Sequence, residues 1–180
     1  MKRSLYLFGL MLLVLASCSQ EPSLQKYYIE KGEAPGFITL DIAPTFIKRN
    51  EIKLTPEEKA AVGSLHKFNV LIYKTDSLDV SHKRYEQELE KVKGLIKGEY
   101  EELIKINNGE SGASISTKGN DEHIEEFVVF VRNQDTGFGV VRVLGDDMTP
   151  NNVLTIAGLL QKANIDTEQF KPLQELMNKK

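Results

Sequence analysis

Residues 100–144 read YEELIKINNGESGASISTKGNDEHIEEFVVFVRNQDTGFGVVRVL, and this stretch decides the fold. Four strand-like runs, Tyr100–Ile106, Ala113–Thr117, Ile124–Arg132 and Phe138–Leu144, alternate with Asn107-Asn108-Gly109, Lys118-Gly119-Asn120-Asp121 and Asp135-Thr136-Gly137. Asn, Asp and Gly tolerate positive φ, so each short break predicts a hairpin turn. Four strands joined this way make an antiparallel meander. Phe127-Val128-Val129-Phe130-Val131 is apolar at both parities, which predicts an interior strand.

Upstream, Phe37–Ala43 alternates, with Ile38, Leu40 and Ile42 on one face and Thr39 and Asp41 on the other. His66–Lys74 is a second strand. Phe68, Val70 and Ile72 share one face, and Leu71 and Tyr73 take the other, so both faces need at least partial cover. Helices fall between. Ser23-Leu24 opens one to Lys31, ended by Gly32 and Pro35-Gly36. Thr55-Pro56-Glu57-Glu58 combines a hydroxyl cap, a proline at the first helical position and a carboxylate three residues after the cap, and predicts a helix to about Val62. The longest helix is capped by Asp79 or Ser81 and runs to about Ile96, with Tyr85, Leu89, Val92 and Ile96 as its apolar stripe. Its many Glu and Lys residues read as a solvated face.

Pro44 to Lys48 suggests a helical turn. Asp146-Asp147 to Pro150 turns into a helix over about Asn151–Lys162, where Val153, Ile156, Ala157 and Leu160 share a face. A last helical segment after Asn164 offers Phe170, Leu173, Leu176 and Met177 to the core, and Pro172 argues against one unbroken helix there. The order predicts an α+β class: one mainly antiparallel sheet of about six strands, with helices packed mainly on one face. The passage from His66 to Ile106 reads as a right-handed crossover.

The start of the chain is an address. Lys2 and Arg3 precede an uncharged apolar run, Leu5–Ala16, and the small residues Ala16 and Ser17 lead to Cys18. That is the layout of a secretory signal, and the run is shorter than the ~20 residues a bilayer-spanning helix needs. Cys18 is the single cysteine, so no intramolecular disulfide can form. Three segments follow: a cleaved signal peptide over 1–17, a lipidated cysteine and short tether over 18–22, and one domain over 23–180. Removing the leader leaves 163 of 180 residues, enough for one core. Formal charge is −3, near −5 once Lys2 and Arg3 leave with the leader. An acidic chain without a basic patch argues against nucleic acid and against electrostatic binding to anionic lipid. Ser19–Pro22 spans only ~15 Å, which holds the domain close to the membrane.

Leu15-Ala16-Ser17-Cys18 resembles the lipobox of bacterial lipoproteins. That resemblance implies a diacylglyceryl group on the Cys18 sulfur, cleavage before it, and acylation of the new amine, palmitate being the typical chain. Several chains at ~0.8 kcal/mol per buried methylene make a near-permanent anchor. The mature segment resembles the bacteroidete lipoprotein family catalogued as domain of unknown function 4252. The likeness rests on the lipobox, Gly36-Phe37-Ile38-Thr39-Leu40, Tyr100-Glu101-Glu102-Leu103, Phe127–Val131, and Val140–Leu144 with its following helix. It implies a fold and a cell-envelope setting and transfers no functional residues. Ser19 resembles outer-membrane sorting. The single acid among Ser19-Gln20-Glu21-Pro22 lacks the acidic run of surface-exposed lipoproteins, which points to the periplasmic side.

Catalytic motifs are thin. Asp135-Thr136-Gly137 matches the aspartic-protease triplet in letters, but Asn133 and Gln134 stand before it where an apolar strand belongs, so it reads as a turn. His66, His82 and His123 have no metal-site spacing, although His123 could meet Asp121 or Glu125 in space. Gly94 with Gly98 and Gly109 with Gly112 fit no phosphate loop. Ser111-Gly112-Ala113-Ser114 is no nucleophile elbow. Asp146-Asp147 supplies too few oxygens for calcium. No catalytic, metal or cofactor residue is assigned, and Cys18 is the one functional site. Tyr27, Tyr28, Leu71 and Tyr73 are core by default, or else line a ligand or partner groove on the sheet face away from the main helices. The reading is a membrane-anchored, non-enzymatic binding, sensing or scaffolding module, its partners the membrane through the lipid on Cys18 and an envelope protein or small ligand. The alternative is an envelope hydrolase.

Overall fold

The computed structural model describes residues 21–44, 53–75, 82–120 and 122–162, with side chains in the last stretch through Leu159. The leader, Cys18, the caps Asp79 and Ser81, most of the turn after Pro44, Asp121, and the segment carrying Phe170 to Met177 lie outside the described residues.

Ten elements follow in order: α1 (Leu24–Lys31), β1 (Phe37–Ile42), α2 (Pro56–Gly63), β2 (Leu65–Lys74), α3 (Lys83–Glu99), β3 (Glu101–Asn108), β4 (Ser111–Gly119), β5 (Ile124–Asn133), β6 (Gly137–Met148) and α4 (Pro150–Lys162). The strands form one six-stranded sheet in the order β1-β2-β6-β5-β4-β3, antiparallel at every pairing. The α+β class, the six strands and the C-terminal meander are as the sequence predicts. β2 and β3 run in the same direction because three alternating strands separate them, so α3 does make a crossover.

The helices divide between the two faces, where the sequence reading placed them mainly on one. On one face α2 and α4 bring Ala61, Val62, Val153, Ile156 and Leu159 onto Phe68, Val70 and Ile72 of β2, Phe127 of β5, and Val141 and Val143 of β6. On the other, α1 and α3 bring Leu24, Tyr27, Tyr85, Leu89, Val92, Leu95 and Ile96 onto Leu71, Tyr73, Val128, Phe130, Phe138 and Val140. The reason lies in the three central strands. Each carries bulky apolar residues at both parities, and a fully buried side chain of this size contributes ~1.5–3 kcal/mol only if both faces are covered. Tyr73, whose cover was uncertain from sequence, stacks on Phe138 at 5.2 Å between centroids and meets Phe37 at 5.0 Å.

Local chemistry sets the ends. The Ser23 hydroxyl accepts from Lys26 N at 3.2 Å to start α1. Thr55 and Glu58 close a reciprocal capping box on α2. α3 starts at Lys83 behind His82, which is left-handed with φ 51° and supplies no side-chain cap, and it runs three residues past Ile96. β6 extends to Met148, pairing it with Ile124, so Asp146 and Asp147 belong to the strand's end rather than to a turn. In α4, Leu159 is buried beside Val153 and Ile156, and Ala157 is half-buried. Gly137 sits at φ +123°, where a Cβ would lie 1.9 Å from the Tyr73 carbonyl oxygen. Only glycine lets β6 begin against β2.

Candidate functional site

The α1/α3 face carries a polar row across otherwise apolar strands. The register aligns Asp41 of β1, Asn69 of β2, Arg142 of β6 and Val128 of β5, and Glu126 stands two residues before Val128 on the same face. Lys67 Nζ donates to Asp41 Oδ2 at 2.9 Å, and Asn69 Nδ2 donates to Asp41 Oδ1. Arg142 grips Glu126 bidentately, Nε to Oε1 and Nη2 to Oε2, the second at 2.8 Å. It reaches Asn69 Oδ1 at 3.4 Å and Gln25 Oε1 at 3.5 Å. Tyr100 OH donates to Glu126 Oε1. Tyr28 OH donates to the Val140 carbonyl at 2.7 Å, pinning α1 over the row.

Glu126 is 6% exposed, so its charge depends on these partners. Burial pushes the Tyr100 phenol well above its ordinary value, and donation to Glu126 pushes it further. Burial does the same to Tyr28, partly offset by the charge of Arg142. Burial works against the Arg142 cation, but its hydrogen bonds to Glu126 outweigh this and raise its pKa. The hydrogen bond from Lys67 leads in holding Asp41 below the usual carboxylate range, with the Asn69 hydrogen bond and the Lys67 charge adding to it against the penalty of burial. Protonated phenols and a paired guanidinium are hydrogen-bond donors and not bases. The row locks β1, β2, β6 and β5 in register.

Two hollows flank the row. One, about 560 Å³, lies between α3 and β3–β4, with Ile96, Tyr100, Ala113 and Phe130 in its wall and Lys93, Lys97, Lys105 and Arg132 among its charged residues. Its carboxylates are held: Glu90 by Lys93 and Glu102 by Lys105, at 2.8 and 2.9 Å. Arg132 donates to the carbonyls of Gly109 and Glu110. The other, about 570 Å³, lies beside α1 and is lined by Gln25, Tyr28, Ile29, Thr39, Asp41 and Lys67, with Arg142 at its edge. Ile29 in its wall is 75% exposed.

The other residues singled out from sequence fall elsewhere. Asp135 and Thr136 lie in a tight turn, in which Asn133 Oδ1 accepts from both their backbone N–H groups and from the Thr136 hydroxyl. His123 meets Asp147 at 2.9 Å rather than Glu125, Asp121 lying outside the described residues, and His66 meets Asp146 at 2.6 Å. Both pairs are more than half exposed, and among the described residues no hydroxyl is bonded to either ring. Among the described residues no group of three or more His, Cys, Asp or Glu is placed to hold a metal, and no helix is long and apolar enough to cross a membrane. Ser111, Gly112, Ala113 and Ser114 are strand residues of β4. Tyr27, Leu71 and Tyr73 are buried between α1, α3 and the sheet, whereas Tyr28 is partly buried and lines the hollow beside α1.

The row itself escaped the sequence reading. Its signal was there in Arg142, set among the valines of the closing strand, which asks for a buried acid once that strand is interior. Which acid answers depends on register.

Residues 27–156 match the family described as Domain of unknown function (DUF4252). No curated protein and no solved structure is similar enough to match.

Proposed function

The chain belongs to that family of unknown function, and from this premise we propose that it is a membrane-anchored lipoprotein of the cell envelope whose domain is a non-enzymatic binding, sensing or scaffolding module. The lipid on Cys18 is its membrane attachment, most consistent with the periplasmic side of an outer membrane. The observation that carries the binding role is the groove between α3 and β3–β4. It joins an apolar wall to a cationic rim, and its own carboxylates are already tied to lysines. Such a surface holds a ligand or a protein segment, while an active site needs a free base aimed at a reacting atom.

The experiment compares the wild-type chain with Ser114→Trp, which fills the groove from the β4 position that pairs with Phe130 on the α3 face. Mild crosslinking in whole cells, followed by purification through the anchored chain, is expected to recover an envelope partner with the wild type and lose it with Ser114→Trp. Equal recovery from both refutes the groove. Turnover of an envelope compound by the purified chain, abolished by His66→Ala or His123→Ala, refutes the non-enzymatic role in favour of a hydrolase. Mass spectrometry of the N-terminal peptide tests the anchor separately: a diacylglyceryl-modified Cys18 is expected, and an unmodified thiol refutes it.

A further inference from the structure

The groove between α3 and β3–β4 is patterned along its length. β4 puts Gly112, Ser114 and Ser116 on the α3 face, where they pair with Arg132, Phe130 and Val128 of β5, and none of the three is large enough to fill the space above the sheet. On the helix side Glu90, Lys93, Gly94 and Lys97 recur at helical spacing, and a Cβ built on Gly94 would meet nothing. The two ends are positive. At the Gly112 end the Arg132 guanidinium donates to the carbonyls of Gly109 and Glu110, and among the described residues no carboxylate pairs with it. At the Ser116 end stands Lys97, close to where α3 leads into Glu101 opposite Thr117, and it too has no carboxylate partner among the described residues. Four cations against two carboxylates line the groove, on a chain whose formal charge is −3. Ser116 is 2% exposed, yet no hydrogen bond joins its hydroxyl to another described residue, which leaves a polar group at the groove to be answered from outside.

Resting on the reading of this groove as a binding surface, we propose that its occupant is an extended, acidic segment of a partner protein, with a carboxylate at i, an apolar side chain at i+2 and a second carboxylate at i+4. From Gly112 to Ser116 the strand rises ~13 Å. The same step of four residues in an extended partner sets two acids on one face with the middle residue between them. The acids meet Arg132 and Lys97, and the apolar side chain sits over Phe130, where β4 offers only Ser114. The groove's own acids do not compete, because Glu90 and Glu102 are held by Lys93 and Lys105. β3 is the edge of the sheet and is exposed along its whole length, and among the described residues nothing pairs with its outer side. A trough open along that edge admits a continuous chain, whereas a small-molecule site encloses most of its ligand.

The test is fluorescence anisotropy of short labelled peptides on the full-length chain in mild non-ionic detergent. One peptide carries Glu-Thr-Leu-Thr-Glu, a second has Lys in place of both acids, and two mixed peptides have Lys in place of one. The acidic peptide is expected to bind saturably and ~10-fold or more tighter than the doubly basic one, with the gap shrinking as salt is added. Lys97→Glu is expected to weaken the acidic peptide ~10-fold and to tighten one of the mixed peptides, a rescue that mere loss of structure cannot produce. Acidic and basic peptides bound alike, no saturable binding of the acidic one, or binding unchanged in Ser114→Trp overturns the proposal. The whole-cell crosslink separates this failure from failure of the reading beneath it. A partner lost in Ser114→Trp whose crosslinked segment lacks the paired acids, or a small anionic molecule recovered in its place, keeps the groove and overturns the acidic segment. Equal recovery from wild type and Ser114→Trp removes both.

Discussion

Removing the Arg142 guanidinium while keeping its apolar stem, by Arg142→Met, isolates the charge that Glu126 depends on. In the pair the two side chains are 11% and 8% exposed, so water cannot replace the lost partner. Glu126 keeps one donor, the Tyr100 hydroxyl, against a buried negative charge. Breaking a buried pair from one side costs ~3–5 kcal/mol. For a domain of this size each kcal/mol moves the thermal midpoint by ~2–4 °C, so a fall of ~6–20 °C is expected. The assay is urea unfolding of the full chain, followed by far-UV circular dichroism because there is no tryptophan. Adding Glu126→Leu removes the orphaned charge and is expected to recover most of the loss. Tyr100→Phe then relieves the phenol left without its acceptor. An Arg142→Met cost under ~1 kcal/mol, or a double variant as unstable as the single, would falsify the account of the row as a mutually dependent lock.

Three further outcomes follow from other parts of the molecule. Glu88 accepts from Tyr27 at 2.7 Å and pairs with Lys31; burial pushes its carboxyl up, but those two partners together hold it below the usual value. Its stabilisation is therefore present above the unfolded carboxylate pKa and lost as pH falls through the folded one, so Glu88→Gln should cost stability at neutral pH with the gap closing below about pH 4 in acid titrations; a constant gap would refute it. Gly137→Ala forces a Cβ into the Tyr73 carbonyl and is expected to cost ~3 kcal/mol or more, while Gly109→Ala, at φ +54° with open space around it, costs ~1 kcal/mol; equal losses in denaturant would show that β6 tolerates displacement. Cys18→Ser should move the chain from membrane to soluble fractions while far-UV dichroism and unfolding midpoint stay unchanged, and loss of folding would overturn the anchor-only role of that residue.

Strands and turns were legible because their signals are local. Asn107-Asn108-Gly109 and Asp135-Thr136-Gly137 announce hairpins in three residues, and Thr55 to Glu58 spell a capping box that the structure forms atom for atom. The two-sided core was half legible. Leu71 and Tyr73 opposite Phe68, Val70 and Ile72 already demanded cover on both faces, yet each helix shows one stripe, and a stripe does not say which face it meets. The polar row was not legible. Tyr100, Glu126 and Arg142 converge only once β5 and β6 are paired in one register, and a slip of one residue would turn Glu126 to the other face. β3 misled in a further way. Leu103, Ile104 and Ile106 look like core residues in the string, and edge position is a property of strand order, which no window of sequence contains.

That strand order has a kinetic side. β1 and β2 are translated first, yet among the described residues the strand that pairs them to the meander is β6, the last in order, from Leu65 with Gly145 to Lys74 with Gly137. Until residue 148 has emerged, β2 has no inner neighbour and both cores stand open along one side. Contacts of such long sequence separation fold slowly, because loop closure comes before any reward. A chain that cannot complete its sheet early stays threadable for longer. Placing the keystone strand last therefore delays closure until nearly the whole domain has been made.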